Sequence, residues 1–182
     1  MSTPHLSASV ARTGGNPILR GIAAISTLAG WCSAAMIVIA VGITIQMIVI
    51  RFVLNGSTVW QTEAVIYLVI ASTLIGLPYV QRLRGHVNVD LIPMAAKGRL
   101  RYGLALVVLG TSIAIVAMMT WYAFDYWHFA WVRGWKSETV WAVPLWKPYL
   151  ALPLGLALFL LQLVADFFAV LLKIDAPFGL ED

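Results

Sequence analysis

The side chains that could do chemistry in this sequence are few, and His86 and Asp90 are the first candidates. Their spacing of four residues would place them on one face of a helix, within hydrogen-bonding reach. A catalytic histidine–aspartate pair also needs a nucleophile beside it, and the sequence offers no evident candidate. The single Cys32 has no spacing partner for a disulfide or a metal site. We therefore predict no enzyme activity, no catalytic residue, and no bound cofactor or metal ion.

Polar side chains inside apolar stretches form the second group, chiefly Gln46, Gln162 and Asp166. An ionisable residue inside a membrane is a functional candidate by default. Asp166, however, follows Tyr149 by about 25 Å at the rise of an α-helix, which places it near the inner end of its segment. The pattern favours hydrogen bonding between helices over transport chemistry for Gln162 and Asp166.

Four long apolar stretches position these residues. Hydrophobic residues make up 61% of the chain and charged residues 11%, compared with about 45–50% and about 25% in soluble domains. Each stretch is continuous rather than alternating, and about 20 apolar residues suffice for a helix to cross a bilayer. The sequence predicts an all-α integral membrane protein with four transmembrane helices, at about 22–50, 64–80, 102–124 and 149–172.

The predicted domain organisation is simple. Residues 1–20 are expected to be a flexible cytoplasmic tail, residues 21–173 the four-helix membrane domain, and residues 174–182 a cytoplasmic C-terminal tail. Basic residues concentrate in the first tail and between spans two and three, so the positive-inside rule places both termini in the cytoplasm. Three basic residues do not fit this rule, because they lie on the predicted outer side: Arg133, Lys136 and Lys147. The net charge of +4 reflects membrane topology and contact with lipid, not nucleic-acid binding.

The connection between spans two and three predicts a short helix in the plane of the membrane surface. Gly85 suits a turn after span two, and Asp90 suits the cap of a helix that begins at Leu91 and ends near Gly98. One side of this helix would be apolar and its end basic. We expect an amphipathic interfacial helix here.

The predicted outer side carries a possible ion pair and many aromatic residues. Trp60 and Glu63 share a face at the start of span two, and Arg51 closes span one at the same end. Arg51 and Glu63 are either ion-paired or two unrelated interfacial charges. The aromatic residues are either a lipid anchor or a protein docking surface, and they include Trp121, Trp127, Trp131, Trp135, Trp141 and Trp146.

Several motifs together resemble a known family. These are four spans, the Trp60-x-x-Glu63 start of span two, the turn Gly85-His86-Val87-Asn88-Val89-Asp90, and the segment from Ser137 through Pro144-Leu145-Trp146 and Tyr149 to Pro153-Leu154-Gly155. Over about residues 20–172 the chain resembles the small permease subunit of TRAP transporters, the tripartite ATP-independent periplasmic transporters.

The resemblance implies a scaffold subunit in the cytoplasmic (inner) membrane of a bacterium or archaeon. Its expected partners are a large multi-span, sodium-coupled transport subunit and a periplasmic solute-binding protein, for uptake of an organic acid or similar solute. Gly85, His86 and Asp90 would then brace the cytoplasmic turn, and Arg51, Trp60 and Glu63 would tie the outer side. The aromatic outer connection would be a candidate partner contact.

Two other functions compete with this interpretation. A self-sufficient, proton-coupled small exporter that acts as a dimer needs an acidic residue near the bilayer midplane. Glu63 and Asp166 both lie near span ends instead. A haem-binding membrane anchor needs histidines that face one another within the helices. Here His5 lies in the N-terminal tail, His86 in the predicted cytoplasmic connection and His128 in the predicted outer connection.

Overall fold

The structure, a computed structural model, describes residues 17–83 and 99–172. In the described part of the chain, the main helices are α1 (Pro17–Phe52), α2 (Gln61–Arg82), α3 (Arg99–Val132), α4 (Trp146–Tyr149) and α5 (Ala151–Leu171). Helices α4 and α5 follow one another almost directly and form one apolar unit, so four helical units are long enough to cross a membrane. The prediction of an all-α protein with four transmembrane helices is confirmed. The tails 1–16 and 173–182 and the predicted interfacial helix lie outside the described residues.

The helices are longer than the predicted spans. Helix α1 has 36 residues and α3 has 34, which correspond to about 54 Å and about 51 Å. The predicted third span ends at Phe124, whereas helix α3 continues to Val132 because no helix-breaking residue intervenes. Trp127 and Trp131 consequently lie on α3 rather than in a loop.

Gly134 ends α3. Its φ of 61° is the left-handed conformation that glycine adopts without steric cost. The Gly134 N–H donates to the Trp131 carbonyl and the Trp135 N–H to the Ala130 carbonyl, both at 3.1 Å. These two bonds form the Schellman motif, which satisfies the last carbonyls of a helix and turns the chain back.

The helices pack in a row. Helix α1 packs on α2, α2 on α5 and α5 on α3, while α1 touches α5 only over a small area. The helices inside the row are more buried than those at its edges. In the most apolar stretch of each helix, 39% of the residues are buried for the α4–α5 unit, against 6% for α1 and 11% for α3. The row is one helix thick, and within the described residues much of its apolar surface is left uncovered.

Hydrogen bonds between α1 and α2 show which residues lie at the same depth. Arg82 at the end of α2 donates to the Ala23 carbonyl of α1 at 3.0 Å. Towards the other end, the Thr62 hydroxyl of α2 lies 3.4 Å from the Met47 sulfur. From Glu63 to Arg82 the helix rises about 29 Å, close to the thickness of the hydrocarbon core. We call the Arg82 side of the row the arginine end and the opposite side the hairpin end.

Hydrogen bonds also show which residues of α3 and α5 lie at the same depth. The Tyr102 hydroxyl donates to the Leu171 carbonyl at 3.3 Å at the arginine end, and the Trp127 indole N–H donates to the Trp146 carbonyl at 3.0 Å at the hairpin end. The two helices are therefore antiparallel, and their ends coincide.

Small residues allow the closest contacts in the row. A Cβ atom on Gly155 of α5 would lie only 2.6 Å from the carbonyl oxygen of Leu74 in α2. A Cβ on Gly30 of α1 would lie 2.5 Å from the ring of Tyr79 in α2. Helices in lipid associate through close packing of this kind, because lipid chains are as apolar as the helix surfaces.

Substituting Gly155 tests this contact. Gly155→Ala should lower the free energy of unfolding by about 1–3 kcal/mol, since the clashing atom belongs to the α2 backbone and cannot rotate away. Denaturant titration of the protein in detergent, followed by circular dichroism, measures the change. Gly42→Ala is the matched control, because nothing lies within 4 Å of a Cβ at that position of α1. Equal stability of both variants would contradict the close contact.

Candidate functional site

The structure places the predicted site residues in two regions. Those at the hairpin end are Arg51, Trp60, Glu63, Trp135, Trp141 and Trp146, and Asp166 lies near the arginine end. Gly85, His86 and Asp90 lie outside the described residues, so their bracing role stays a prediction.

Residues 135–145 form a hairpin between α3 and α4. The Leu145 N–H donates to the Trp135 carbonyl and the Ser137 N–H donates to the Val143 carbonyl, both at 2.9 Å. At its tip, the Ala142 N–H donates to the Thr139 carbonyl at 3.0 Å, and Ala142 has a left-handed φ of 47°. This geometry turns the chain back towards the start of α2.

Glu63 fastens the hairpin to α2. One carboxylate oxygen accepts a hydrogen bond from the Tyr67 hydroxyl, one turn along the helix, and the other accepts from the Thr139 hydroxyl, both at 2.5 Å. Beside this bond the rings of Trp60 and Trp141 lie 6.1 Å apart. We call these five residues the clasp; they join the start of α2 to the hairpin tip.

The sequence left two alternatives for Arg51 and Glu63, and the hydrogen bonds of Glu63 agree with the second, two unrelated charges. Both carboxylate oxygens of Glu63 are occupied by hydroxyl groups, and Arg51 is exposed at the end of α1. The two residues lie at different positions along the helix axes, which explains why they do not pair. Met47 is the α1 residue that meets Thr62, so Arg51 lies about one helical turn beyond Glu63.

Aromatic residues join α3 to the start of the last span. The rings of Trp131 and Trp146 stack at 5.8 Å, and those of Tyr126 and Tyr149 stack at 5.3 Å. Trp135 packs edge-on against Tyr126 at 5.9 Å. Much of the aromatic density therefore serves contacts inside the chain. Some rings stay more than half exposed, such as Trp121, Tyr122 and Trp131. For these rings the two alternatives, lipid anchor and docking surface, stay predictions.

Three helices meet at Asp166. Its two carboxylate oxygens accept hydrogen bonds from the Gln162 amide at 2.7 Å and from the Gln81 amide of α2 at 2.9 Å. Gln162 in turn accepts from the Ser26 hydroxyl of α1 at 2.6 Å. Ser26 and Gln162 are almost fully buried. We call these four residues the inner polar cluster, and it gives Asp166 and Gln162 the interhelical hydrogen bonds that the sequence predicts.

Arg82 adds a further connection at the arginine end. Its guanidinium donates to the Thr27 hydroxyl as well as to the Ala23 carbonyl. Both acceptors belong to α1, so the end of α2 is joined to α1 by a charged donor, which makes stronger hydrogen bonds than a neutral one. Near the middle of the row, the Ser33 hydroxyl of α1 donates to the Ser72 carbonyl of α2 at 2.7 Å, so a neutral hydrogen bond joins these two helices there as well.

Sequence reasoning missed several members of these sites. Tyr67 could have been found, because it follows Glu63 by one helical turn. Ser26, Gln81 and Thr139 depend on helix and hairpin placement that no local pattern reveals. Within residues 17–83 and 99–172, no group of three His, Cys, Asp or Glu side chains could hold a metal ion.

The clasp predicts energetic coupling between Glu63 and Thr139. A double-mutant cycle of Glu63→Ala with Thr139→Val should give a coupling at the lower end of about 0.5–1.5 kcal/mol, because Thr139 is exposed to water. The free energy of unfolding in detergent provides the four values. The parallel cycle of Glu63→Ala with Arg51→Ala is the control and should show no coupling. The reverse result would restore the ion pair and remove the clasp.

The inner polar cluster predicts that Ser26→Ala lowers the free energy of unfolding by about 1 kcal/mol, because the buried Gln162 oxygen loses its donor. Thr120→Ala is the control, since that hydroxyl bonds only to the Val116 carbonyl of its own helix. Unfolding titrations of the two variants in the same detergent make the comparison. A loss that is equal in both would mean that Ser26 does not hold α1 to α5.

Comparison with known proteins agrees with this architecture. The family model of the tripartite ATP-independent periplasmic transporters, DctQ component, matches residues 37–173. The C4-dicarboxylate TRAP transporter small permease protein DctQ of Vibrio cholerae serotype O1 is 25% identical over an alignment of 137 residues, and the alignment covers 64% of this chain and 59% of that protein. This chain thus spans less than two thirds of the length of that curated relative. Because the family match covers most of the sequence, the chain belongs to the DctQ family of TRAP transporter small subunits and is a multi-pass protein of the bacterial inner membrane.

Proposed function

We propose that this chain is the scaffold subunit of a TRAP transporter. It assembles with a large, sodium-coupled membrane subunit, and a periplasmic solute-binding protein delivers the solute to that complex. The observation that carries the proposal is the single row of helices. A row one helix thick leaves most of α1 and α3 uncovered within the described residues, which suits a subunit that packs against a larger membrane protein.

The position of the polar groups supports a scaffold rather than a transport path. Acidic residues on the long helices are Glu63, Asp125 and Asp166, and each lies towards an end of the row. Glu63 and Asp166 are engaged in hydrogen bonds within the chain. A proton-coupled exporter would need a carboxylate near the midplane, so the scaffold is the better supported of the two functions.

We propose an organic acid as the transported solute. The related protein of Vibrio cholerae carries C4-dicarboxylate in its name. In the proposed complex, the binding protein and the large subunit select the solute, and sodium coupling belongs to the large subunit. In the proposed orientation both termini are cytoplasmic and the hairpin end is periplasmic. Gly85, His86 and Asp90 brace the cytoplasmic turn.

The exposed face of α3 is the candidate contact for the large subunit. Buried residues such as Ala105 and Val116 mark the face that packs on α5. Gly103, Gly110 and Ala114 lie on the opposite side of the helix, and nothing in this chain lies within 4 Å of a Cβ at either glycine. Small residues on an uncovered transmembrane face let a second helix approach closely.

Affinity purification from native membranes tests the proposal. The full chain, tagged at its C-terminus and extracted in mild detergent, should recover one much larger multi-span protein in stoichiometric amount. Gly110→Leu should reduce that recovery about tenfold, because the added side chain fills the space needed by the partner helix. Gly42→Leu is the control, since Gly42 is equally open but lies on α1.

The outcomes separate two levels of the proposal. Recovery of this chain alone, as a stable homodimer, would contradict the scaffold function and favour the exporter. Loss of the large protein with Gly42→Leu but not with Gly110→Leu would keep the scaffold function and move the contact from α3 to α1.

A further inference from the structure

Asp125 of α3 is an exposed carboxylate that forms no hydrogen bond or ion pair within the described part of the chain. The other two acidic residues of the long helices differ from it. Glu63 accepts hydrogen bonds from two hydroxyl groups, and Asp166 accepts them from two amide groups. His128, one turn further along α3, stacks on the Phe124 ring at 6.2 Å. The charge of Asp125 is therefore available to a group from outside the described chain.

Asp125 lies at the edge of the hydrocarbon core. Trp127, two residues further along α3, donates to the Trp146 carbonyl, and Trp146 lies at about the depth of Glu63, counted along α5 and α2 from the contact of those helices. The Cα–Cβ bonds of an α-helix tilt towards its N-terminus, which for α3 is the arginine end. The short Asp125 side chain therefore leans towards the membrane interior, where a carboxylate is costly unless a partner neutralises it.

Asp125 faces away from the row of helices. Ala123 and Ala130 are buried against the neighbouring helix, and at about 100° per residue Asp125 points to the opposite side of α3. The same outer side carries Gly110 and Ala114, where a second helix can approach closely. The carboxylate thus belongs to the face that the proposed function assigns to the large subunit.

Trp121 lies beside Asp125 on this outer face, because residues four apart on a helix are neighbours. Its ring is 70% exposed, and no ring contact to it is seen among the described residues. A carboxylate next to an aromatic face suits a guanidinium group, since the carboxylate accepts two parallel hydrogen bonds and the ring attracts the cation. Arginine fits this pair better than lysine, because its planar group can do both at once.

A cation at this depth could come from a lipid or from a protein. The ammonium group of phosphatidylethanolamine carries its own phosphate as a counter-charge and needs no carboxylate. An arginine on a transmembrane helix has no such counter-charge and is costly in lipid until an acidic residue meets it. The small residues Gly110 and Ala114 also favour a helix, since flexible acyl chains adapt to any surface shape.

We propose that Asp125 forms an ion pair with an arginine of the large membrane subunit, and that this arginine also packs on the Trp121 ring. The pair presupposes the proposed function and gives the partner a definite chemistry, a transmembrane helix with an arginine near its end on the hairpin side. The ion pair fixes the position of that helix along α3, which apolar contact alone leaves open.

Quantitative affinity purification of the complex from native membranes tests the pair. The full chain is tagged at its C-terminus, and the ratio of the large protein to this chain is measured by mass spectrometry. Asp125→Asn keeps the shape and removes the charge, so it should lower the ratio about tenfold, because an arginine is left unpaired at the contact. Asp125→Glu keeps the charge and should retain most of the recovery.

Glu138→Gln is the matched control. Glu138 is an exposed acidic residue of the hairpin, so this variant removes the same charge away from the outer face of α3 and should leave the ratio unchanged. Trp121→Leu should lower the ratio about threefold, since it removes only the attraction between ring and cation. Circular dichroism verifies that each variant is folded.

The outcomes separate the ion pair from the scaffold function. Full recovery with Asp125→Asn would overturn the pair and leave the scaffold function intact, and an equal loss with Glu138→Gln would do the same. Full recovery together with fewer bound phosphatidylethanolamine molecules in native mass spectrometry would assign Asp125 to a lipid headgroup instead. If the wild-type chain recovers no large protein, the scaffold function itself fails. If Asp125→Asn does not fold, Trp121→Leu decides.

Discussion

Helices that are already immersed in lipid gain little from hiding apolar surface from one another, and this constraint governs the whole molecule. What holds them together is close contact and a few hydrogen bonds. At Gly155 the backbones of α5 and α2 approach so closely that a single added carbon would clash. Gly30 performs the same function between α1 and α2. These contacts place α2 and α5 at the centre of the row and α1 and α3 at its edges.

The two ends of the row are closed by different chemistry. At the arginine end, Asp166 accepts hydrogen bonds from amide groups of two helices, α2 and α5. Gln162 of α5 in turn accepts a hydrogen bond from α1. At the hairpin end, the clasp at Glu63 and the stacked tryptophans Trp131 and Trp146 join α2, α3 and the last span. The apolar middle carries few polar contacts, which leaves the exposed surfaces free to meet lipid or a larger protein. This distribution is consistent with a scaffold and gives each end its own chemistry.

Prediction from the sequence succeeded where the physical signal is local. A continuous apolar stretch must be helical in lipid because its backbone groups find partners only within the segment, so four spans could be predicted with little ambiguity. The predicted third span ends at Phe124, since the polar and aromatic residues after it resemble a connection, although the chain stays helical up to Val132. The ion pair considered as one alternative for Arg51 and Glu63 does not form, for a related reason. Opposite charges at one end of two helices need the same depth, and depth depends on how the helices slide along each other.

The sequence by itself determined the class of protein, the number of spans, the family resemblance, and the hydrogen-bonding character of Gln162 and Asp166. Each of these follows from composition, from spacing within one helix, or from short motifs. Only the tertiary structure decided that Glu63 meets Thr139, that Ser26 reaches Gln162, and that the helices form a row. These contacts join residues far apart in the chain, and their geometry depends on the side chains at helix crossings, which no pattern within a single segment encodes.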